Sequence, residues 1–152
     1  MTYSNKYMDM ALEEAKKAAE RGEVPVGAVI VNGATGKIIS RASNRVIEDH
    51  DPSAHAEILA IRAACRQLEN ERLTNCDLYV TLEPCPMCAQ AISFARIRRL
   101  YFAACDEKGG GVENGPRIFH ARSCHHRPEI YGGIGEKAAS EMLKDFFQSR
   151  RK

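Results

Sequence analysis

Apolar residues recur at helical spacing from residue 8 to residue 19: Met8, Ala11, Leu12, Ala15, Ala18 and Ala19. Glu13, Glu14, Lys16 and Lys17 take the opposite side. This predicts an amphipathic helix over residues 6–20, ended by Gly22. The pattern then changes period. Residues 24–31 form an apolar, β-branched run, Asn32-Gly33-Ala34-Thr35-Gly36 reads as a turn, and Ile38-Ile39 resumes the apolar pattern. Two strands joined as a hairpin are predicted.

Asp51-Pro52-Ser53 reads as a helix start, with Asp51 as the cap and Pro52 at the first helical position. That helix runs to about residue 69. Ile58, Leu59, Ile61, Ala63 and Cys65 leave much of its surface apolar or small, so it is expected to pack on a sheet. Residues 77–82 form a third strand, Pro84-Cys85-Pro86 opens a helix reaching Phe94, and residues 99–103 form a fourth strand. Strand, helix, strand at this spacing predicts a parallel crossover. Gly109-Gly110-Gly111 marks a loop, and Ile130-Tyr131 a short strand before the turn at Gly132-Gly133 and Gly135. Ala138, Met142, Leu143, Phe146 and Phe147 form the stripe of a last helix. The sum is an α/β fold with helices on both faces of a mixed sheet, in one domain over 1–152.

Composition narrows the class. A chain of 152 residues that is 44% apolar fills one core and is not a disordered segment. Twenty-two basic against twenty acidic residues leave a net charge of +2, too little to indicate nucleic acid by itself. No run of about 18 apolar residues exists to span a membrane. No apolar segment follows the N-terminus as a secretory signal would require. The six cysteines are therefore expected to be reduced thiols or metal ligands in a cytoplasmic protein.

The chemistry concentrates in His55-Ala56-Glu57 and Pro84-Cys85-Pro86-Met87-Cys88. Alone, a Cys-x-x-Cys pair is common in structural zinc sites and redox pairs, and a His-x-Glu on a helix is usually a surface pair or a packed histidine. Together they make the general signature of zinc nucleobase deaminases. Catalytic zinc takes three protein ligands and keeps a fourth position open. His55, Cys85 and Cys88 supply one nitrogen and two sulfurs, the cysteines one helical turn apart at a helix N-terminus that favours thiolate. Glu57, two residues past His55, is placed to move protons rather than to bind metal. Cys105, His50 and Cys76 are further candidates for a fourth ligand. Cys65 and Cys76 read more simply as small buried apolar residues. Cys124-His125-His126 is a weaker second metal candidate. Arg117, His120, Arg122, His125, His126 and Arg127 form a run without acidic residues that could hold phosphates.

Beyond the motif, the chain resembles the bacterial tRNA-specific adenosine deaminases, within the cytidine deaminase-like superfamily. The likeness rests on Glu23-Val24-Pro25-Val26-Gly27-Ala28-Val29, Asp51-Pro52-Ser53-Ala54-His55-Ala56-Glu57-Ile58, Tyr79-Val80-Thr81-Leu82-Glu83-Pro84-Cys85, and Asp145-Phe146-Phe147 with Arg150 and Arg151. The zinc motif is shared with guanine, cytosine and cytidine deaminases, and the C-terminal segment is the more discriminating part. The resemblance implies a three-layer α/β/α fold with a five-stranded sheet, one Zn2+ per subunit, a homodimer, and hydrolysis of wobble adenosine to inosine in the anticodon stem-loop of an arginine tRNA. It further implies that Asn44 meets the base edge, that Val26 and the Ala56 backbone line the base pocket, and that Glu83 lies beside the metal. Asp106, Phe147, Arg150 and Arg151 would approach the RNA. Two other readings stay open here: a deaminase of a free base such as guanine or cytosine, and a non-catalytic zinc protein that binds RNA.

Overall fold

A computed structural model describes residues 6–150. Its elements run α1 (Lys6–Glu20), β1 (Gly27–Asn32), β2 (Ile38–Ser43), α2 (Ala56–Leu68), β3 (Cys76–Leu82), α3 (Pro86–Phe94), β4 (Arg99–Ala104), a single 3-10 turn (Ile118–His120), β5 (Glu129–Gly132) and α4 (Glu136–Arg150). The five strands lie in the order β2-β1-β3-β4-β5. β1 is antiparallel to both β2 and β3. β3, β4 and β5 are parallel. The expected three-layer α/β/α arrangement, with its hairpin and its parallel half, is what the chain adopts.

Alternation along the strands builds two cores. Ala28 and Ile30, Leu78 and Val80, Leu100 and Phe102 face one side, where Ala56, Ala60 and Ala64 of α2 and Ala89 and Ile92 of α3 cover them. Val29, Val31, Tyr79, Tyr101 and Ala103 face the other, under Met8 and Ala11 of α1 and Ala139 of α4. Small residues on the helices let them sit close to the sheet. Gly27 is the extreme case: a Cβ there would stand 2.0 Å from the Ala11 carbonyl oxygen, so α1 rests directly on the start of β1. On this face Tyr79 and Tyr101 stack with ring centroids 4.4 Å apart, and Tyr101 stacks on Tyr131 at 5.0 Å.

Phe102 is fully buried in the centre of the first core, and its ring closes over Gly132, its partner on β5. We expect Phe102→Ala to cost about 4 kcal/mol and to lower the melting temperature by about 10 °C, read by thermal denaturation.

Two boundaries differ from the sequence expectation. The first strand begins at Gly27, because the Val26 N–H donates to the Val24 carbonyl at 2.8 Å and turns the chain at Pro25. Helix α2 begins at Ala56 rather than near Pro52. Asp51 caps a tight turn instead: its Oδ1 accepts from the Ser53 N–H at 2.9 Å and the Ser53 hydroxyl at 2.7 Å. The helix cap is His55.

Candidate metal centre and base pocket

That shift of the α2 start matters chemically. His55 is the N-cap of α2 and Cys85 the N-cap of α3, and neither side chain makes a capping hydrogen bond. Both are therefore offered to a common point, to which Cys88 is added from the first turn of α3. His55 Nδ1 lies 3.6 Å from Cys85 Sγ and 3.5 Å from Cys88 Sγ. All three ligand atoms lie within 4.8 Å of one another. Tetrahedral zinc, with bonds of about 2.1 Å to nitrogen and 2.3 Å to sulfur, sets such ligands about 3.6 Å apart. Donor set and spacing both fit zinc. Among the described residues no other cluster of histidine, cysteine and carboxylate has this geometry. His50, Cys76 and Cys105 do not join it. Cys76 is buried in the core, with Cys65 packed against it.

The titration behaviour of the cluster follows from its closeness. The Cys88 thiol held against Cys85 brings Cys85 down to about 4, with His55 acting in the same direction. The same contact, with burial, pushes Cys88 up. His55 is raised, first through its hydrogen bond with Cys85. The cluster thus offers one ready thiolate, and a bound cation would favour loss of the second proton.

Glu57 lies one residue inside α2 and is only 4% exposed. Burial pushes its carboxyl up to about 7. A cation bound at the cluster would act in the opposite direction and favour the carboxylate, the form that accepts a proton.

A cavity of about 460 Å³ opens over the cluster, and Val26, Asn44, Glu57, Glu83 and Asp106 are among its walls. The Ala56 N–H points to Asn44, whose Oδ1 accepts it at 2.8 Å. Asn44 Nδ2 has no partner among the described residues, which leaves a donor beside the cavity. A second cavity of about 760 Å³ adjoins the first and shares Val24, Leu82 and Asp106 with it. Phe147, 46% exposed, lines this second cavity with Cys105 and Glu136. Arg150 lies over the Phe146 ring, 4.7 Å from its centroid. Arg151 falls outside the described residues.

The basic run has a mixed fate. His126 Nε2 donates to the Ile97 carbonyl at 2.6 Å and Arg127 Nε to the Phe119 carbonyl at 2.9 Å. His126 holds the 118–128 segment onto the body of the protein, and Arg127 closes that segment on itself. Cys124 donates to the His126 carbonyl, so Cys124-His125-His126 forms no metal cluster. Arg122 and His125 are exposed.

Sequence reasoning missed what the buried glutamates do. Glu23 accepts the N–H groups of Ile47 and Glu48, at 3.0 and 2.9 Å, and pins the wall that carries Asn44, Val46 and Ile47. Glu83 pins the opposite wall, at 106–114, with its carboxylate turned into that loop. A glutamate inside each apolar segment was the signal available in the sequence, but its loop partners lie more than twenty residues away.

The family model of the cytidine and deoxycytidylate deaminase zinc-binding region matches residues 1–104. The tRNA-specific adenosine deaminase of Agrobacterium fabrum is 55% identical over 145 residues, covering 95% of this chain and 94% of its own. The chain belongs to the tRNA-specific adenosine deaminase family. A structure solved in a study of A-to-I editing by tRNA:A34 deaminases at the wobble position of transfer RNA is also 55% identical. It has a TM-score of 0.89 and covers 92% of this chain and 100% of that one. A Bacillus subtilis guanine deaminase is less similar: 40% identical with a TM-score of 0.63, covering 68% of this chain and 66% of that one. The relative and the solved structure each match more than nine-tenths of this chain, and the family model spans the residues of the histidine and cysteine cluster.

Proposed function

We infer that this chain is a zinc-dependent hydrolase that converts adenosine to inosine at the wobble position of tRNA. Water replaces the 6-amino group: a C–O bond forms, the C–N bond breaks and ammonia leaves. The observation that carries the reading is Glu57, buried beside the cluster of His55, Cys85 and Cys88 on the wall of an open cavity. A zinc ion there supplies a Lewis acid that makes water a nucleophile near neutral pH. Glu57 takes one proton from the attacking water and delivers it to the ring nitrogen; it then takes the second from the new hydroxyl group and passes it to the departing amine. Asn44 Nδ2 donates to the base edge, and Val26 packs against the ring. A non-catalytic zinc protein has no use for a carboxyl desolvated at this position.

The second cavity favours a nucleotide within a chain over a free base. A base held over the metal leaves its neighbours at that cavity, where Phe147 offers a ring to stack on and Asp106 stands at the junction. Arg150, on the same helix as Phe147, would meet the phosphates that flank it. The arginine anticodon stem-loop is the substrate we assign, in a cytoplasmic enzyme. A homodimer accords with α3, which leaves Met87 and Phe94 exposed at 40% and 68%. Size-exclusion chromatography with light scattering tests that assignment, and a monomer at working concentration rejects it.

The deciding experiment incubates zinc-loaded protein with an arginine-anticodon stem-loop and, separately, with free guanine, followed by nucleoside analysis and ammonia assay. Inosine at the first anticodon position is expected. Ammonia from guanine, with the stem-loop unchanged, would replace this reading by the free-base one. A finer prediction concerns Asn44. Asn44→Asp keeps an acceptor for the Ala56 N–H but removes the donor, so kcat/KM for the stem-loop falls about 10- to 100-fold with zinc content unchanged.

A further inference from the structure

Glu83 is 2% exposed and has no cationic partner among the described residues. Its charge is met wholly by N–H groups. Oε1 accepts from the Asp106 N–H at 3.0 Å and from Asn114 Nδ2 at 2.7 Å. Oε2 accepts from three successive backbone N–H groups, those of Val112, Glu113 and Asn114, at 3.1, 2.9 and 3.0 Å. Such a run of N–H groups is a nest, a concavity that proteins commonly use to seize an external anion. Here the chain fills it with its own side chain.

The two ends of this arrangement are functional segments. Glu83 precedes Pro84-Cys85, at the carboxyl end of β3 where the parallel half of the sheet begins. The loop it grips carries Asp106 and Gly109, which line the base cavity. The loop also lies directly on the metal segment. The Gly111 N–H donates to the Pro84 carbonyl at 2.8 Å. A Cβ on Gly111 would stand 2.6 Å from Pro86 N, and one on Gly110 would stand 2.5 Å from Glu83 Oε2. Gly111 and Gly110 therefore let the loop settle onto the start of α3 and onto the carboxylate. Asp106 uses its own Oδ1 to accept from Lys108 and Gly109, which makes a local turn but ties it to nothing else. Beyond the strand end, its backbone N–H is held by Glu83.

We propose that Glu83 is a positioning residue for the RNA substrate: its carboxylate occupies the nest at 112–114 and so fixes Asp106 at the junction of the two cavities. Glu83 acts through the loop and does not touch the reacting atoms. This inference rests on the tRNA reading for its kinetic test, but the loop contact itself can be tested without any substrate.

Glu83→Gln keeps the shape and sets an amide donor against N–H donors. Asn114→Ala removes one donor from the loop side and leaves the strand untouched. Both proteins are purified as zinc-loaded full chains. For Glu83→Gln we expect kcat/KM on the stem-loop to fall about 10- to 100-fold, with the loss falling mainly on KM. Asn114→Ala shows the same KM-weighted loss, several-fold in size. Zinc content stays at the wild-type value in both. Hydrogen exchange of the amides at 112–114 accelerates in Glu83→Gln, while β3 and β4 keep their protection. Unchanged KM in both variants, or activity lost only in step with zinc, overturns the proposal. So does unchanged exchange at 112–114. If Glu83→Gln does not fold, Asn114→Ala alone decides by its KM. If wild-type protein leaves the stem-loop unmodified, the tRNA reading fails while the exchange result still decides whether Glu83 holds the loop.

Discussion

Glu57→Ala is expected to retain its zinc and to form inosine at least about 10³-fold more slowly than the unaltered protein. The two halves of that result have separate causes. The metal would be held by His55, Cys85 and Cys88, whose donor atoms lie at zinc spacing, and Glu57 is not one of the three ligands. The rate depends on a group that takes a proton and gives it back twice in one turnover. Among the described residues no other carboxylate is placed to stand in, Glu23 being bound to the Ile47 and Glu48 N–H groups. Glu83 spends both oxygens on the 106–114 loop, and Asp106 lies out at the cavity junction. Single-turnover kinetics on the stem-loop, paired with elemental analysis, checks both halves. A variant that keeps both zinc and rate removes the carboxylate from the mechanism.

Cys88→Ser gives the second large effect, and it runs the other way: the metal is lost first and activity follows. Cys88 is buried, and its sulfur is shared between His55 and Cys85. A serine hydroxyl there does not ionise at neutral pH and sits on a shorter bond, so the site keeps two ligands of three. Zinc affinity is expected to fall at least about 100-fold. Chelation of the wild-type protein should reproduce the inactive state, and added zinc should restore the wild type at concentrations that leave the variant empty. Competition with a chromogenic chelator measures the affinity. Zinc binding equal to wild type would mean that Cys88 is not a ligand.

The repeating elements were legible because each has a period. The stripe from Met8 to Ala19 gives α1, and the β-branched run to Val31 gives β1. The metal ligands were legible for another reason: their chemistry restricts which residue types can serve, and Cys85 and Cys88 stand one turn apart. Two things had no local signature. One is the true start of α2. Asp51 and Pro52 form a good cap and first-turn pair, but the Asp51 carboxylate satisfies Ser53 instead, and the chain turns once more before His55. The other is the pair of loops around the cavity. Their shape is set by hydrogen bonds from Glu23 to residues 47 and 48 and from Glu83 to residues 106–114, contacts that join distant parts of the chain. A single charged residue within an apolar run shows that something polar must meet it, but not what.

The way those loops are held bears on how readily this scaffold can be retooled. Both walls are fastened from behind, through main-chain amides gripped by a buried acid. The side chains at their tips, Val46 and Ile47 on one side and Glu107 and Lys108 on the other, take no part in that fastening. Swapping them alters what the mouth will admit while leaving its outline intact. Point changes at the rim are therefore separable from the metal ligands and from Glu57, none of which lies on those tips.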